Sequence, residues 1–466
     1  MMSQLVRALP LFCLASASAA DWTMYLRDPA HSSFAPQETA IGPANAGSLR
    51  AAWTGQADGQ LAAAPSYAGG TLYFGDWKGT FRAVDAATGR VLWERFVGIS
   101  PAPEDPGCSP VLGVTAQAAV VGDTVYVGGG DSAVYALDRA TGGLLWRVSI
   151  GDPVAGAYLW SSITPYRGAL YIGVASLGDC PLVRGALVRI DPADPQNPTF
   201  AWFAPEGEQG GGIWSTPAID EETNTIFVTT GTGEQDAAAG LWGGTFATLD
   251  ADTLEMKAHY FLPTNSLADD IEWGSSPALF TTPDGDRLVA ATGKDGVLYA
   301  LRRDDMTLAW QTRLAVSCIC PQCGCGSLST PAFDGRTLFV GSGVPDLESF
   351  SGGAVYAIDP ATGAPRWSQM TAGVVIAPVT VANGLVYAST TQGLLVFDAA
   401  TGDPLWNDGN FGLLYSQPVV ADGAVFCTYL YGDYVSWKPT AETAEPASQP
   451  PARFRPRAVD RRVSRR

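Results

Sequence analysis

One short phrase recurs along the chain at nearly even intervals, and it limits the fold more than any other feature. Each copy has an apolar strand ending at Asp, a Thr-Gly turn, and a second strand leading to a large aromatic residue. The clearest copies are AVDAATGRVLW (83–93), ALDRATGGLLW (136–146), AIDPATGAPRW (357–367) and VFDAATGDPLW (396–406). Weaker copies end at Trp202, Tyr260 and Trp310. A single copy cannot bury its apolar face, so the copies must stack on one another.

The spacing of the copies indicates how they stack. The turn Asp falls at 85, 138, 191, 250, 304, 359 and 398, a mean interval of about 52 residues, which is about the length of one four-stranded propeller blade. The C-terminal segment GAVFCTYLYGDYVSW lacks a last strand, and the N-terminal LRAAW can supply it. The sequence therefore predicts an all-β, eight-bladed β-propeller whose eighth blade is closed by strands from both termini.

The aromatic residue that ends each copy recurs at the period of the blades. A tryptophan at that period hides the most apolar area where two sheets meet. We therefore expect these side chains to be largely buried between neighbouring blades: Trp53, Trp93, Trp146, Trp202, Trp310, Trp367 and Trp406.

The two ends of the chain differ in composition from the repeats. Residues 1–20 are typical of a secretory signal peptide, with Arg7, an apolar run and small residues before Asp21. Residues 440–466 are rich in Pro and Arg and are expected to be disordered, either solvated or touching an acidic surface. Residues 21–439 would form the propeller. No other segment is long and apolar enough to cross a membrane, so we predict a periplasmic or extracellular protein.

Charge and residue types exclude several functions. The net charge is −18, and because the Arg-rich tail carries +6, the remainder carries −24, which argues against nucleic-acid binding. Only His31 and His259 are present, so a Ser-His-Asp triad or a three-histidine metal site is hard to build. No C-x-x-C-H motif occurs, which excludes covalent c-type haem. Neither a Walker loop nor a dinucleotide fingerprint is found.

The cysteines leave alternatives open. Disulfides are the default in an exported protein, and a bridge between Cys180 and Cys108 is one possibility. The run CICPQCGCG contributes Cys318, Cys320, Cys323 and Cys325. Its four sulfurs could form disulfides, bind zinc, or remain free or mixed thiols.

The repeat phrase, the opening DWTMYLRDPAHSSF and the eight-fold count together resemble the quinoprotein propellers. These are the pyrroloquinoline quinone (PQQ)-dependent alcohol dehydrogenases and their relatives, and the chain looks most like their haem-free, polyvinyl-alcohol-dehydrogenase-like branch. The resemblance covers residue 21 to about residue 439. A non-catalytic lipoprotein of outer-membrane β-barrel assembly has similar repeats, so the phrase is specific for the fold but not for the enzyme.

The resemblance implies positions for the residues that carry the chemistry. GGGIWSTPAIDEETN is similar to the segment with the cofactor-stacking tryptophan, which places Trp214 there; a core aromatic is the alternative. DDIEWGSSPALF resembles the segment with the catalytic aspartate, but Glu272 stands in its place and could instead be a rim carboxylate. ATGKDGVLYAL resembles the segment whose cation lies beside the quinone carbonyl, which matches Lys294.

The calcium ligands depart most from the family pattern. In GVASLGDCPLVRG the usual Glu is missing and Asp179 is the nearest carboxylate. VTTGTGEQD offers Glu234, or Thr232 if the strand register is kept. Glu272 would be the third ligand, and calcium accepts such hard oxygens. The resemblance further implies that three residues lie around the cofactor: Arg184, Ser162 and Cys180.

Two functions follow from these expectations. The first is an exported, haem-free oxidoreductase that uses calcium and PQQ to oxidise a small or polymeric alcohol, with Glu272 taking the hydroxyl proton and a redox partner protein receiving the electrons. The second is a propeller that acts as a binding or protein-interaction scaffold without catalysis, because a fold alone does not imply an activity.

Overall fold

The computed structural model of the protein describes residues 21–102, 109–266, 268–317, 324–345, 352–409 and 411–440. Within these ranges the chain consists of β-strands and turns, with one 3-10 turn at Ala46–Ser48. The strands are short and apolar and are separated by turns rich in Gly and Asp, as the repeat requires. The first two are β1 (Phe34–Ala35) and β2 (Leu49–Gln56).

The next strands form blades 1 to 4, each a four-stranded antiparallel sheet. Blade 1 contains β3 (Ser66–Ala68), β4 (Thr71–Gly75), β5 (Thr80–Asp85) and β6 (Val91–Phe96). Blade 2 contains β7 (Ala119–Val121), β8 (Thr124–Gly128), β9 (Ala133–Asp138) and β10 (Leu144–Ser149). Blade 3 adds the short β11 (Ala157–Tyr158) to β12 (Thr164–Tyr166), β13 (Ala169–Ser176), β14 (Ala186–Ile190) and β15 (Thr199–Trp202). In blade 4, the hairpin of β18 (Gln235–Asp236) and β19 (Leu241–Trp242) interrupts β16 (Ala218–Asp220), β17 (Thr225–Thr229), β20 (Thr245–Asp250) and β21 (Met256–Phe261).

Blades 5 to 8 complete the ring. Blade 5 contains β22 (Ala278–Thr281), β23 (Arg287–Thr292), β24 (Val297–Arg302) and β25 (Leu308–Arg313). Blade 6 contains β26 (Ala332–Phe333), β27 (Leu338–Ser342), β28 (Gly353–Ile358) and β29 (Pro365–Thr371). Blade 7 contains β30 (Thr380–Ala382), β31 (Leu385–Thr390), β32 (Gly393–Asp398) and β33 (Pro404–Asn407). Blade 8 contains β34 (Val419–Ala421), β35 (Ala424–Thr428) and β36 (Asp433–Pro439).

The eighth blade is closed by the two ends of the described chain. Strand β2 pairs antiparallel with β36, from Leu49 opposite Pro439 to Gln56 opposite Asp433, and is the outer strand of that sheet. Thr440 still donates to the Ser48 carbonyl beyond this pairing. The predicted eight-bladed propeller and its closure by both termini are therefore confirmed.

The first strands of neighbouring blades contact one another and form the wall of an axial channel. Residues 22–35 run across one end of this channel and hydrogen-bond to blade after blade. The bonds join Trp22 to Tyr67, Thr23 to Val120, Pro29 to Ile219, Ala30 to Leu279, Ser32 to Phe333 and Ser33 to Val381. The N-terminal segment therefore closes one mouth of the channel, and β1 lies parallel to β30 there.

Four of the repeated tryptophans dock between blades in the same way. The indole Nε1 donates to the carbonyl of the residue that follows the turn Asp of the next blade, at 3.0 Å in each case. The glycine of that turn faces the indole ring. The pairs are Trp53 with Gly89, Trp93 with Gly142, Trp310 with Gly363 and Trp367 with Gly402. The Thr-Gly of the repeat thus leaves room for the preceding blade's tryptophan.

The expectation that all seven tryptophans are largely buried is wrong for Trp202, which is 43% exposed. In blade 1, Trp93 pairs with Ala83, two residues before the turn Asp. In blade 3 the equivalent pair is Thr199 with Arg189, and Trp202 lies three residues further along its strand, opposite Ala186. An odd shift moves a side chain to the other face of its strand, so Trp202 points away from blade 4.

We expect Gly363→Ala to destabilise the protein by about 3 kcal/mol, from the left-handed backbone and the overpacking together. Residue 363 has a φ of +74°, and an added Cβ would lie 2.5 Å from the Trp310 ring. Gly335→Ala is the matched control in the same blade, because its φ is +94° but its Cβ would meet nothing within 4 Å. Thermal unfolding should show a larger loss for Gly363→Ala; equal losses would contradict the docking role.

Several expectations concern residues outside the described ranges. These are the signal peptide (1–20), the tail beyond residue 440, and Cys108, Cys318, Cys320 and Cys323. Cys180 and Cys325, which lie within the described ranges, are disulfide-bonded. Among the described cysteines, Cys427 is a buried free thiol. The described part of the chain contains no helix with the length and hydropathy needed to cross a bilayer.

Candidate functional site

The channel mouth opposite the N-terminal segment carries the candidate site. In blade 4, Trp214 precedes β16, and Ile219, which binds the N-terminal segment, lies five residues further along the same wall. That separation is about 16 Å in extended chain. The channel between the two ends is a cavity of about 190 Å³, lined by Trp214 at one end and Tyr25 at the other.

Backbone pairing in blade 5 sets two of the predicted residues side by side. Glu272 lies in the segment before β22 and Lys294 in the turn after β23. The Lys294 amide donates to the Glu272 carbonyl at 2.9 Å, and Trp273 pairs with Gly293. The fully buried Trp273 ring anchors this segment by donating to the Gly244 carbonyl at 3.0 Å.

The Lys294 ammonium joins two carboxylates and faces an indole. Its Nζ lies 2.8 Å from a Glu272 oxygen and 2.8 Å from an Asp270 oxygen. It also lies 5.6 Å from the centroid of the Trp214 ring, which is within cation–π range. The structure therefore brings Trp214, Glu272 and Lys294 together at one mouth of the channel.

The Glu272 carboxylate is buried against backbone. It accepts a hydrogen bond from the Thr232 amide, and Gly231 leaves the space that it needs. A Cβ at residue 231 would lie 2.9 Å from the Glu272 Oε2 and 3.3 Å from Trp214 Cδ1. The carboxylate and the indole are therefore near neighbours, well inside the span of one quinone-sized ligand of roughly 10 Å.

Electrostatics at the mouth depend on burial and on facing charges. Desolvation raises the pKa of Glu272 to about 7; Asp179 and Asp270 add to the rise, and Lys294 opposes it. Burial by itself would lower the pKa of Lys294, but Glu272 and Asp270 together raise it above its ordinary value. Desolvation also raises the pKa of Asp179.

Three carboxylates at the mouth could share one cation. Asp179, Asp270 and Glu272 each offer an oxygen, and these oxygens lie within 4.8 Å of one another. With Lys294 counted, the fully ionised group carries −2, which matches a divalent ion. The Thr232 hydroxyl, next to the amide that binds Glu272, is buried without a hydrogen-bond partner. Carboxylate and hydroxyl oxygens are donors that calcium accepts, so the residues present fit that ion.

Three other predicted residues are not members of this carboxylate group. Glu234 is exposed because the chain turns outward at Gly233 into the β18–β19 hairpin, so it is not part of the carboxylate group. The Arg184 guanidinium stacks on Trp202 at 4.3 Å, and its Nε donates to the Ala204 carbonyl at 2.7 Å. Cys180 is exposed in the loop that also contains Asp179.

Ser162 lines the channel below the mouth, where it links blades. Its hydroxyl accepts a bond from the Gln117 amide, and its own amide donates to the Thr216 hydroxyl, both at 3.0 Å. The same link repeats from Thr216 to Ser276 and from Ser276 to Thr330. Ser162 is thus one member of a series of hydrogen bonds that connects five neighbouring blades.

Sequence reasoning missed Asp270 and Trp160. Asp270 stands two residues before Glu272, and alternation along an extended segment puts residues i and i+2 on the same side, which was the available signal. Trp160 begins a Trp-Ser-Ser run in blade 3 that matches the Trp214-Ser-Thr run in blade 4, and both tryptophans line the channel.

Comparison with known proteins gives relatives of two kinds. The family model described as outer membrane protein assembly factor BamB matches residues 44–190 and 208–439. A polyvinylalcohol dehydrogenase from Sphingopyxis sp. (strain 113P3) is 25% identical over 419 residues, covering 77% of this chain and 62% of that protein. Quinohemoprotein alcohol dehydrogenase ADH IIB from Pseudomonas putida is 29% identical over 243 residues, covering 46% and 34% of the two chains. The chain therefore spans less than two thirds of the length of these relatives.

Solved structures show the same fold. Quinohemoprotein alcohol dehydrogenase ADHIIG from Pseudomonas putida HK5 superposes with a TM-score of 0.77 at 17% identity, over 95% of this chain and 84% of that chain. This superposition agrees with the propeller topology described above. Because the family model covers most of the chain and the relatives agree with it, the protein belongs to the family of PQQ-dependent alcohol dehydrogenase-like β-propellers.

Proposed function

We propose that the protein is a PQQ-dependent oxidoreductase that oxidises an alcohol at the channel mouth. The observation that carries the proposal is the convergence of an indole, a buried carboxylate and a buried ammonium on one point. Lys294 lies 2.8 Å from Glu272 and 5.6 Å from the Trp214 ring centroid. A flat apolar platform beside an acid–base pair is what a planar redox cofactor and a hydroxyl substrate require.

The cofactor would be held by residues at the mouth. Trp214 would lie under the PQQ ring, and Lys294 would put a positive charge at its edge. Asp179, Asp270 and Glu272, with the Thr232 hydroxyl, would hold the calcium ion. Bound PQQ would supply the two-electron oxidant that accepts a hydride from the alcohol carbon.

Glu272 would act as the general base. It is buried, its pKa is raised to about 7 by desolvation, and such a carboxylate can take the hydroxyl proton near neutral pH. The glutamate side chain is longer than that of aspartate and reaches further from the backbone. The hydrogen bond from the Thr232 amide fixes the position of its carboxylate oxygen. Lys294 would stabilise the negative charge that develops beside it during the transfer.

Compartment and partners belong to the same proposal. The relatives' names indicate alcohols, and one is a polyvinylalcohol dehydrogenase, so the substrate is a small or polymeric alcohol. Export follows from the composition of residues 1–20. Each turnover yields two electrons, and because no C-x-x-C-H motif is present, we propose a separate redox partner protein and no haem in this chain.

Cofactor retention tests this proposal directly. Purified protein is mixed with PQQ and Ca²⁺ and passed through a gel-filtration column, and the quinone absorbance is followed. We expect the quinone to elute with wild-type protein and to be lost from Trp214→Ala, with Trp77→Ala in blade 1 as the comparison that should retain it. If wild-type protein retains no quinone at any calcium concentration, the proposal is wrong.

The family model supports a second candidate function. Its description as an outer membrane protein assembly factor fits a scaffold that binds other proteins without catalysis. Such a scaffold would neither retain PQQ nor reduce dye with any alcohol, so the same experiment separates the two functions.

A further inference from the structure

Trp160 occupies, in blade 3, the position that Trp214 occupies in blade 4. Each tryptophan stands just before the inner strand of its blade, β12 or β16, and each lines the channel. The proposed function uses Trp214 as the platform and gives Trp160 no role. The contacts of Trp160 lead instead toward a carboxylate.

The indole of Trp160 is fixed to the end of strand β13. Its Nε1 donates to the Ser176 carbonyl at 3.0 Å, and its ring packs edge-on against Tyr158 at 4.9 Å. The Ser176 hydroxyl accepts a bond from the Val183 amide at 2.9 Å, which joins the two ends of the loop 177–182. Ser176 therefore connects Trp160 to the loop that contains Asp179.

Asp179 is the member of the carboxylate group that depends on this connection. Lys294 holds Asp270 and Glu272, but among the described residues Asp179 makes no ion pair within 4 Å. It is exposed and has a φ of +59°. Its position in the carboxylate group therefore depends on how its loop is held to strand β13 at Ser176.

We infer that Trp160 is a positioning residue for the cation site, because its indole N–H holds Ser176, and Ser176 fixes the loop in which the Asp179 carboxylate lies within 4.8 Å of its two partners. The inference rests on the proposed function, since it concerns the cation that Asp179, Asp270 and Glu272 would share. Outer hydrogen-bond partners of metal ligands commonly contribute 10- to 100-fold in metal affinity.

The test measures cation binding in the absence of PQQ and substrate. Trp160→Phe keeps an aromatic ring and removes the N–H. We expect its Ca²⁺ affinity, measured by titration calorimetry, to be roughly tenfold weaker than that of wild-type protein. With Tb³⁺ as the probe, luminescence lifetimes in H₂O and D₂O should show about one more bound water, because Asp179 no longer coordinates fully.

Trp77→Phe is the matched control. Trp77 packs in the same small apolar cluster as Trp160, but its Nε1 is buried without a partner. Its removal should leave Ca²⁺ affinity and Tb³⁺ hydration unchanged. Ser176→Ala removes the hydroxyl that holds the Val183 amide at the far end of the loop. It should weaken cation binding as Trp160→Phe does, and it gives an independent measurement if Trp160→Phe unfolds.

The outcomes separate the inference from the proposed function. If wild-type protein binds neither ion, the proposed cation site is wrong and the inference falls with it. If wild-type protein binds them and both Trp160→Phe and Ser176→Ala bind equally well, the positioning role alone is overturned. Weaker binding and added hydration in these variants, with Trp77→Phe unchanged, is the result that supports it.

Discussion

Glu272→Gln is expected to abolish alcohol-dependent dye reduction by protein loaded with PQQ and Ca²⁺, with a loss of about 10³-fold or more in kcat/KM. Glutamine is nearly the same size, so the packing against Gly231 and Trp214 is kept. It cannot accept the hydroxyl proton, however, and it is a poorer calcium ligand. Glu206→Gln, at an exposed carboxylate of the blade 3 to blade 4 connection, should retain full activity.

Stability shows whether this loss comes from chemistry or from unfolding. In the cation-free protein, desolvation raises the pKa of Glu272 to about 7 from its ordinary 4.5. Because the pKa of this carboxyl is higher in the folded than in the unfolded state, its ionisation lowers the free energy of unfolding as the pH rises from 4.5 through 7. Glutamine does not ionise, so cation-free Glu272→Gln should melt at a higher temperature than wild-type protein at pH 8 and not at pH 4. A lower melting temperature at pH 8 would contradict this assignment.

Lys294→Met is expected to lower kcat by about 10²-fold or more, because it removes the positive charge beside the Trp214 platform. The same change alters the carboxylate group from a net −2 to a net −3, so Ca²⁺ affinity should not fall. Dye-linked turnover and calcium titration on the same sample measure the two effects separately.

Lys294→Arg keeps the charge and should retain more activity than Lys294→Met. Lys257→Met removes a lysine that pairs with Asp250 at 3.1 Å on the outer part of blade 4, and it should leave turnover unchanged. A Lys294→Met variant that loses calcium binding and turnover together would show that the ammonium organises the carboxylates instead of acting on the reaction.

Much of the fold can be predicted from the sequence because one local rule is repeated. The Asp and the Thr-Gly of each copy close a turn, and the tryptophan of the preceding blade docks on that glycine, so a mean period near 52 residues is sufficient to count blades. The rule fails where its spacing changes. The blade 3 copy has its tryptophan eleven residues after the turn Asp, where the blade 1 copy has eight, so Trp202 lies on the other face of its strand.

The site was less accessible to sequence reasoning because it is assembled from loops of different blades. Trp214, Glu272 and Lys294 could be located by their resemblance to family segments, and the structure brings them together. The Gly-Thr-Gly turn indicates Glu234, or Thr232, as a ligand, yet the chain leaves the channel at Gly233 and Asp270 lies beside Glu272 instead. The channel closure by residues 22–35 depends on single backbone bonds to many blades, which composition does not reveal.

A crystal structure of the protein grown with PQQ and Ca²⁺ tests the central claim most directly. The account predicts planar density stacked on the Trp214 ring at the open mouth of the channel. It also predicts a cation bound by Asp179, Asp270 and Glu272, with the Lys294 ammonium beside the quinone edge. Density for the quinone elsewhere on the propeller, or an unaltered mouth at saturating cofactor, would contradict it.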